Sequence, residues 1–178
     1  MNKVESFVGI DVSKERLDVA TLPDGQTWSC ANSDVEISAL VERVRTLSPS
    51  LVVLEATGGL ETLVAAALGA AGLPVAVINP RQARDFAKAT GKLAKTDTID
   101  AKTLALFAQA IRPEPRPLKS EELSELTALL TRRNQLVAML TAEKNRLGSA
   151  PKSIRKDIEE HIKWLEKRIN ESNGALRD

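Results

Sequence analysis

At 178 residues and 19.3 kDa the chain has room for one substantial domain and an appendage, because single domains commonly hold about 100 to 150 residues. Apolar residues make up 43% and charged residues 28%, a globular composition, and Gly69, Gly72 and Pro74 break the uncharged run 62–80, so no membrane-spanning helix is expected there. The formal charge of +1 argues neither for nor against a polyanionic partner.

The single cysteine, Cys30, excludes an intramolecular disulfide, and with the single histidine, His161, it falls short of the four ligands of a closed zinc site. Any metal would therefore be held by oxygen. The N-terminus has no apolar stretch of signal-peptide form, so a cytoplasmic, nucleoid-associated protein with no membrane partner is expected. Tyrosine is absent and aromatics are 3% of the chain, too few for a base-stacking platform.

In chain order, residues 7–12 form an apolar run ending near a carboxylate, 16–22 a second strand before the Pro23-Asp24-Gly25 turn, and 26–30 a third, which together predict an antiparallel meander. From Asp34 the period changes to that of a helix, with Ile37, Leu40, Val41, Val44 and Leu47 on one face and Ser33 or Asp34 as the cap. Residues 51–55 are apolar up to Glu55, as in a strand covered on both faces. An alanine- and leucine-rich helix over 60–71 and a strand over 75–79 complete a parallel crossover. Residues 81–90 predict a basic helix stopped by Gly91, and a longer helix follows from about 98 to 111.

Pro113, Pro115 and Pro117 then predict a stiff linker. The expected organisation is an α/β domain over 1–111, the linker over 112–119, a helical hairpin over 120–170 and a flexible tail over 171–178. In the hairpin, Ser120 caps a helix with an apolar stripe through Leu123, Leu126, Leu130, Val137, Leu140 and Leu147. Ile154, Ile158, Ile162, Leu165 and Ile169 line the second helix. Two helices bury only one stripe, so this element is expected to associate with a second copy of the chain or with further protein.

The near-zero net charge conceals segregation. Residues 1–79 carry 5 basic and 10 acidic side chains, 80–119 carry 9 and 4, and 120–178 carry 11 and 10. The middle segment is thus a basic strip: Arg81, Arg84, Lys88, Lys92 and Lys95 recur at spacings of three and four, and Lys14 and Lys102 are close to acidic residues. A solvated helix face and a phosphate-contacting surface are both consistent with this pattern.

Four carboxylates stand at element ends. Asp11 closes the first strand and Glu55 the central one, where an open sheet gathers ligands. Asp97 and Asp100 begin the last helix of the α/β domain, three residues apart and hence on one side. Brought together, four such groups would repel unless cations neutralised them, and their hard oxygens suit Mg²⁺, with Mn²⁺ a substitute, for phosphoryl transfer. Each also has a plainer reading, as a strand-end or turn acid for Asp11, a salt bridge for Glu55, and helix N-terminal acids for Asp97 and Asp100. Asp18 reads as a polar strand position and His161 as an ordinary histidine of the hairpin.

Gly9-Ile-Asp-Val-Ser-Lys14, Leu17-Asp-Val19, Glu55-Ala-Thr-Gly-Gly59, Val77-Ile-Asn-Pro80 with Phe86, and Leu93-Ala-Lys-Thr-Asp-Thr-Ile-Asp-Ala101 together resemble the N-terminal domain of a family of bacterial insertion-sequence transposases. That family is similar to the pilin gene-inverting recombinases, and the likeness continues through Arg132-Arg-Asn-Gln-Leu136 and Thr141-Ala-Glu-Lys-Asn-Arg-Leu147. The resemblance implies a ribonuclease-H-like (RuvC-like) mixed sheet with flanking helices. It implies Asp11, Glu55, Asp97 and Asp100 as a catalytic, magnesium-binding quartet for DNA strand cleavage and transfer in transposition. It also implies a structured guide RNA encoded by the element as a partner beside DNA. Lys14, Arg81, Arg84, Lys88, Lys92, Lys95 and Lys102 become candidate nucleic-acid contacts. Leu60 departs from the family, which favours Tyr there. The family's second domain, bearing a catalytic serine, is not in the sequence, so full recombination by this chain alone is not expected.

Two other classes compete. An ATPase or sugar-kinase-like domain also opens with a strand, an Asp and a meander, but Asp11 is followed by Val-Ser-Lys where a glycine-containing phosphate turn would be expected. A noncatalytic nucleic-acid-binding protein that dimerises through the hairpin would use the carboxylates structurally.

Overall fold

The computed structural model describes residues 4–91, 100–115 and 120–176, with the side chains of 120, 121, 123 and 124 also outside the description. The chain divides into two compact units, Met1–Lys119 and Ser120–Asp178.

The first unit is built on strands β1 (Phe7–Val12), β2 (Arg16–Leu22), β3 (Thr27–Ala31), β4 (Leu51–Glu55) and β5 (Val75–Ile78), in the order β3-β2-β1-β4-β5. β1, β2 and β3 form the antiparallel meander, while β4 runs parallel to β1 and β5 parallel to β4. Helices α1 (Asp34–Leu47), α2 (Thr62–Ala70), α3 (Pro80–Ala89) and α4 (Ala101–Ile111) flank this sheet. This is the mixed, helix-flanked sheet expected of a ribonuclease-H-like fold.

Strand alternation sorts the core into two layers. Val8, Ile10, Val12, Leu17, Val19, Val52 and Leu54 meet Ile37, Leu40, Val41 and Val44 of α1 and Val64 and Leu68 of α2. On the opposite face Phe7, Leu51, Val53, Ala76 and Ile78 meet Ala83 and Ala87 of α3 and Leu104, Phe107 and Ala108 of α4. Phe86 and Phe107 close that layer edge to face, with centroids 5.3 Å apart.

Local chemistry fixes the helix ends. Ser33 accepts the Glu36 N–H at the start of α1. Asn79 accepts the Arg81 N–H at 2.8 Å while its own N–H donates to the Gln82 side chain at 3.2 Å, and Pro80 follows at the first helical position. This reciprocal cap starts α3 one residue earlier than the basic run indicates. The helix expected from about residue 98 is described from Ala101, with Asp100 as its cap.

The second unit is a hairpin of α5 (Ser120–Ser149) and α6 (Lys152–Ala175). Leu136, Leu165 and Ile169 form its buried core, with Val137 and Leu140 against them. Ile154, expected in the apolar stripe, is 48% exposed. α6 continues helically past residue 170, where a flexible tail is expected, because Ile169 is buried and the buried Arg133 donates to the Asn173 side-chain oxygen at 2.6 Å. Among the described residues no helix is long and apolar enough to cross a membrane.

Candidate functional site

β1 and β4 run side by side to one end of the sheet, where Asp11 and Glu55 each lie one step beyond the last paired residues, Ile10 and Leu54. Phe7 and Val53 face α3 and α4, so alternation turns Asp11 and Glu55 toward the same layer. α4 reaches this sheet end because Gly9 carries no side chain: a Cβ there would lie 2.2 Å from the Ala101 carbonyl oxygen and 2.3 Å from the Ala105 nitrogen. The N-terminus of α4, with Asp100, is thereby held over the β1 end.

Asp18 sits directly opposite Asp11 across the β1–β2 ladder. Like charges in such a pair are unfavourable, and the fold answers by pairing Asp18 elsewhere. Arg16 donates to its Oδ2 at 2.9 Å through Nε and approaches it at 2.8 Å through a terminal nitrogen, while the Ser29 hydroxyl donates to Oδ1. Asp11, Arg16, Asp18, Trp28, Asp100 and Lys102 line a cleft of about 520 Å³. Partial burial raises the Asp11 pKa above its ordinary 3.8, with Asp18 and Asp100 adding repulsion and the Val12 N–H and Arg16 opposing. Glu55 is likewise raised, first by burial and then by Asp11, and the Arg84 guanidinium pulls it back.

The described members of the expected quartet, Asp11, Glu55 and Asp100, do not form a magnesium or manganese centre. Among the described residues no group of three or more His, Cys, Asp or Glu side chains is placed to hold a metal ion. The described acids act on one another as repulsive neighbours, and two of them are engaged locally. Asp100 Oδ1 accepts the Thr103 N–H at 2.8 Å and caps α4, and Asp18 is held by Arg16 and Ser29. Asp97 lies outside the described residues. The expectation of a metal-dependent, nuclease-like enzyme resting on that quartet falls with it.

The basic strip is placed more simply. Arg81, Arg84 and Lys88 are exposed on α3, whose Ala83 and Ala87 are buried against the sheet. Lys14 is exposed in the β1–β2 turn and Lys102 is exposed on α4 beside the cleft. Lys92 and Lys95 lie outside the described residues. Ser13 is committed to that turn, its hydroxyl donating to the Arg16 carbonyl at 2.8 Å. His161 belongs to the hairpin, 3.5 Å from Glu143 and stacked on Trp164.

Two contributors escape a reading of motifs. Arg16 was legible in principle, since the short turn between Val12 and Leu17 fixes the register that sets Asp18 against Asp11 and calls for a cation. Glu61 accepts the Thr57 N–H at 2.8 Å and the Gly59 N–H at 3.0 Å, ordering the loop after Glu55. Nothing in the sequence signals that bond except an acid beside a glycine pair.

The pilin gene-inverting proteins of Moraxella lacunata and Moraxella bovis are each 26% identical to this chain over 148 residues, covering 80% of it and 46% of the relative. The chain thus spans about half the length of these curated relatives. The structure of T. thermophilus RuvC in complex with a Holliday junction substrate superposes with a TM-score of 0.45 at 18% identity, covering 63% of this chain and 99% of that one. The profile of the IS110-type DEDD transposases matches residues 8–154, most of the sequence, and the chain belongs to that transposase family.

Proposed function

We propose that this chain is the DNA-engaging α/β portion of a recombinase of the transposase class, with the nucleic-acid backbone laid on the outer face of α3. The supporting observation is the position of that helix. It begins at the end of β5, next to the strand that delivers Glu55, and turns Arg81, Arg84 and Lys88 outward from a buried alanine face. Arg84 reaches electrostatically to Glu55, so the strip and the carboxylate end of the sheet share one region. Phosphates bound there would be held near Asp11 and Glu55, with Lys14 and Lys102 as further cations about the cleft. The reading assigns strand binding to this chain and no cleavage step. A structured RNA is a second polyanion suited to the same face, and the hairpin over 120–170 supplies self-association.

The test is duplex binding by fluorescence anisotropy as a function of salt. Each lost phosphate contact lowers the log–log salt slope by about 0.9, so Arg81→Ala with Lys88→Ala is expected to reduce it by about two and weaken binding. Arg45→Ala on α1 is expected to change neither. Equal affinity and slope for wild type and the α3 variant would reject the assignment. Competition by structured RNA reads whether both polyanions use one face, and sedimentation of the chain reads the self-association.

A further inference from the structure

Charge along the hairpin is uneven. Residues 120–131 contain three carboxylates and no basic side chain, whereas 143–157, covering the end of α5, the turn and the start of α6, contain five basic residues and two acidic ones. Lys144 and Arg146 suit the C-terminal end of α5, whose free carbonyls favour cations. They are also paired, Lys144 with Glu166 at 2.9 Å and Arg146 with Glu143 at 2.5 Å.

Lys152, Arg155 and Lys156 follow the opposite rule. They occupy the first turns of α6, where unpaired N–H groups disfavour positive charge, and the first turn holds no acidic residue to offset them. All three are exposed, and spacings of three and four put them on one face. Arg155 donates to the Ala150 carbonyl at 3.0 Å. Neither Lys152 nor Lys156 has a carboxylate partner among the described residues. The helix dipole therefore does not account for this cluster.

We propose that the hairpin tip is a second DNA contact, in which Lys152, Arg155 and Lys156 take the phosphate backbone of a duplex. This rests on the reading of the chain as DNA-binding and adds a surface in the other compact unit. A duplex fits better than an unpaired strand, because residues 143–157 contain no aromatic side chain on which exposed bases could stack. The two lysines stand one turn apart, about 6 Å along the helix axis, and act as point charges on the backbone with no base recognition.

The experiment uses the full chain and a fluorescein-labelled duplex, titrated between about 50 and 200 mM salt. Lys152→Gln with Lys156→Gln is expected to raise Kd roughly three- to tenfold at fixed salt and to lower the salt slope by about two. The same variant is expected to melt no lower than wild type, since it removes charge that opposes the helix dipole. Arginine at both positions is expected to restore binding. Lys163→Gln with Lys167→Gln, farther along α6, is expected to leave Kd and slope unchanged. Wild-type binding that is indifferent to the tip variant overturns this proposal alone, and so does an equal loss in the Lys163 and Lys167 control. A loss seen only with structured RNA also overturns it, assigning the tip to RNA. A wild-type chain that binds no duplex overturns this proposal together with the reading of α3.

Discussion

A methyl group at position 9 has nowhere to go, because the atoms it would strike belong to the backbone of α4 and no rotamer change can clear them. Gly9→Ala must push α4 off the sheet and open the layer containing Leu104 and Phe107. The expected cost is about 3 kcal/mol or more, at the upper end for overpacked cores, read as a lower denaturation midpoint with the m-value unchanged. The neighbouring carboxylates act in the other direction. Asp11 and Glu55 hold their protons more tightly in the folded chain than their ordinary values of 3.8 and 4.5, chiefly because burial disfavours the ionised form. The folded state therefore binds more protons than the unfolded one in that range, and each group's contribution to stability falls as pH rises through its raised value. Asp11→Asn and Glu55→Gln are expected to raise the melting temperature at pH 7, with the gain over wild type shrinking as pH falls toward 4. A gain that grows with acidity would contradict the shifts.

Elements differ in how far their sequences announce them. The meander, the parallel crossover and α1 were legible because alternation, helical period and turn residues all agree there. The start of α3 was legible only in hindsight: Asn79, Pro80 and Gln82 make a cap, but the basic run draws attention to Arg81. Asn79→Ala is expected to cost about 1 kcal/mol and to increase amide exchange in the first turn of α3, while leaving β4 protected. The continuation of α6 past residue 170 was not legible, since Asn173-Gly174 locally favours a turn. Its cause is a bond from Arg133, 40 residues away, which no window of local sequence contains. The acidic centre shows the same limit. Positions at strand ends indicate that Asp11 and Glu55 could meet if their strands were neighbours, as β1 and β4 are, but not that Asp18 would be held by Arg16 and Ser29 or that Asp100 would turn back on its own helix. Hydrogen bonds decide those outcomes, and motif spacing does not encode them.

At the scale of the whole molecule, the near-neutral total resolves into an acidic sheet end, a basic outer helix and a hairpin whose cations gather at its tip. The two units also differ in the means by which they stay folded. The sheet unit has two layers, with residues such as Val8, Ile10, Leu54, Leu68 and Leu104 fully buried. The hairpin rests on a short stripe centred on Leu136, Leu165 and Ile169, and so small a core leaves a domain of that size only marginally stable. Leu165, with none of its surface exposed, has no redundancy there. Truncating a buried leucine to alanine costs about 2 to 5 kcal/mol, a sum comparable with the whole stability of so small a unit. Leu165→Ala is thus expected to unfold the hairpin locally, so that α5 and α6 amides exchange nearly as fast as an open chain while those of β1 and β4 keep wild-type protection. Leu104→Ala is expected to accelerate exchange in β1, β4 and α4 and to leave that of the hairpin at its wild-type rate. Native-state hydrogen exchange resolved by segment separates these outcomes. Acceleration of both units by either substitution would show one cooperative fold where two cores are drawn.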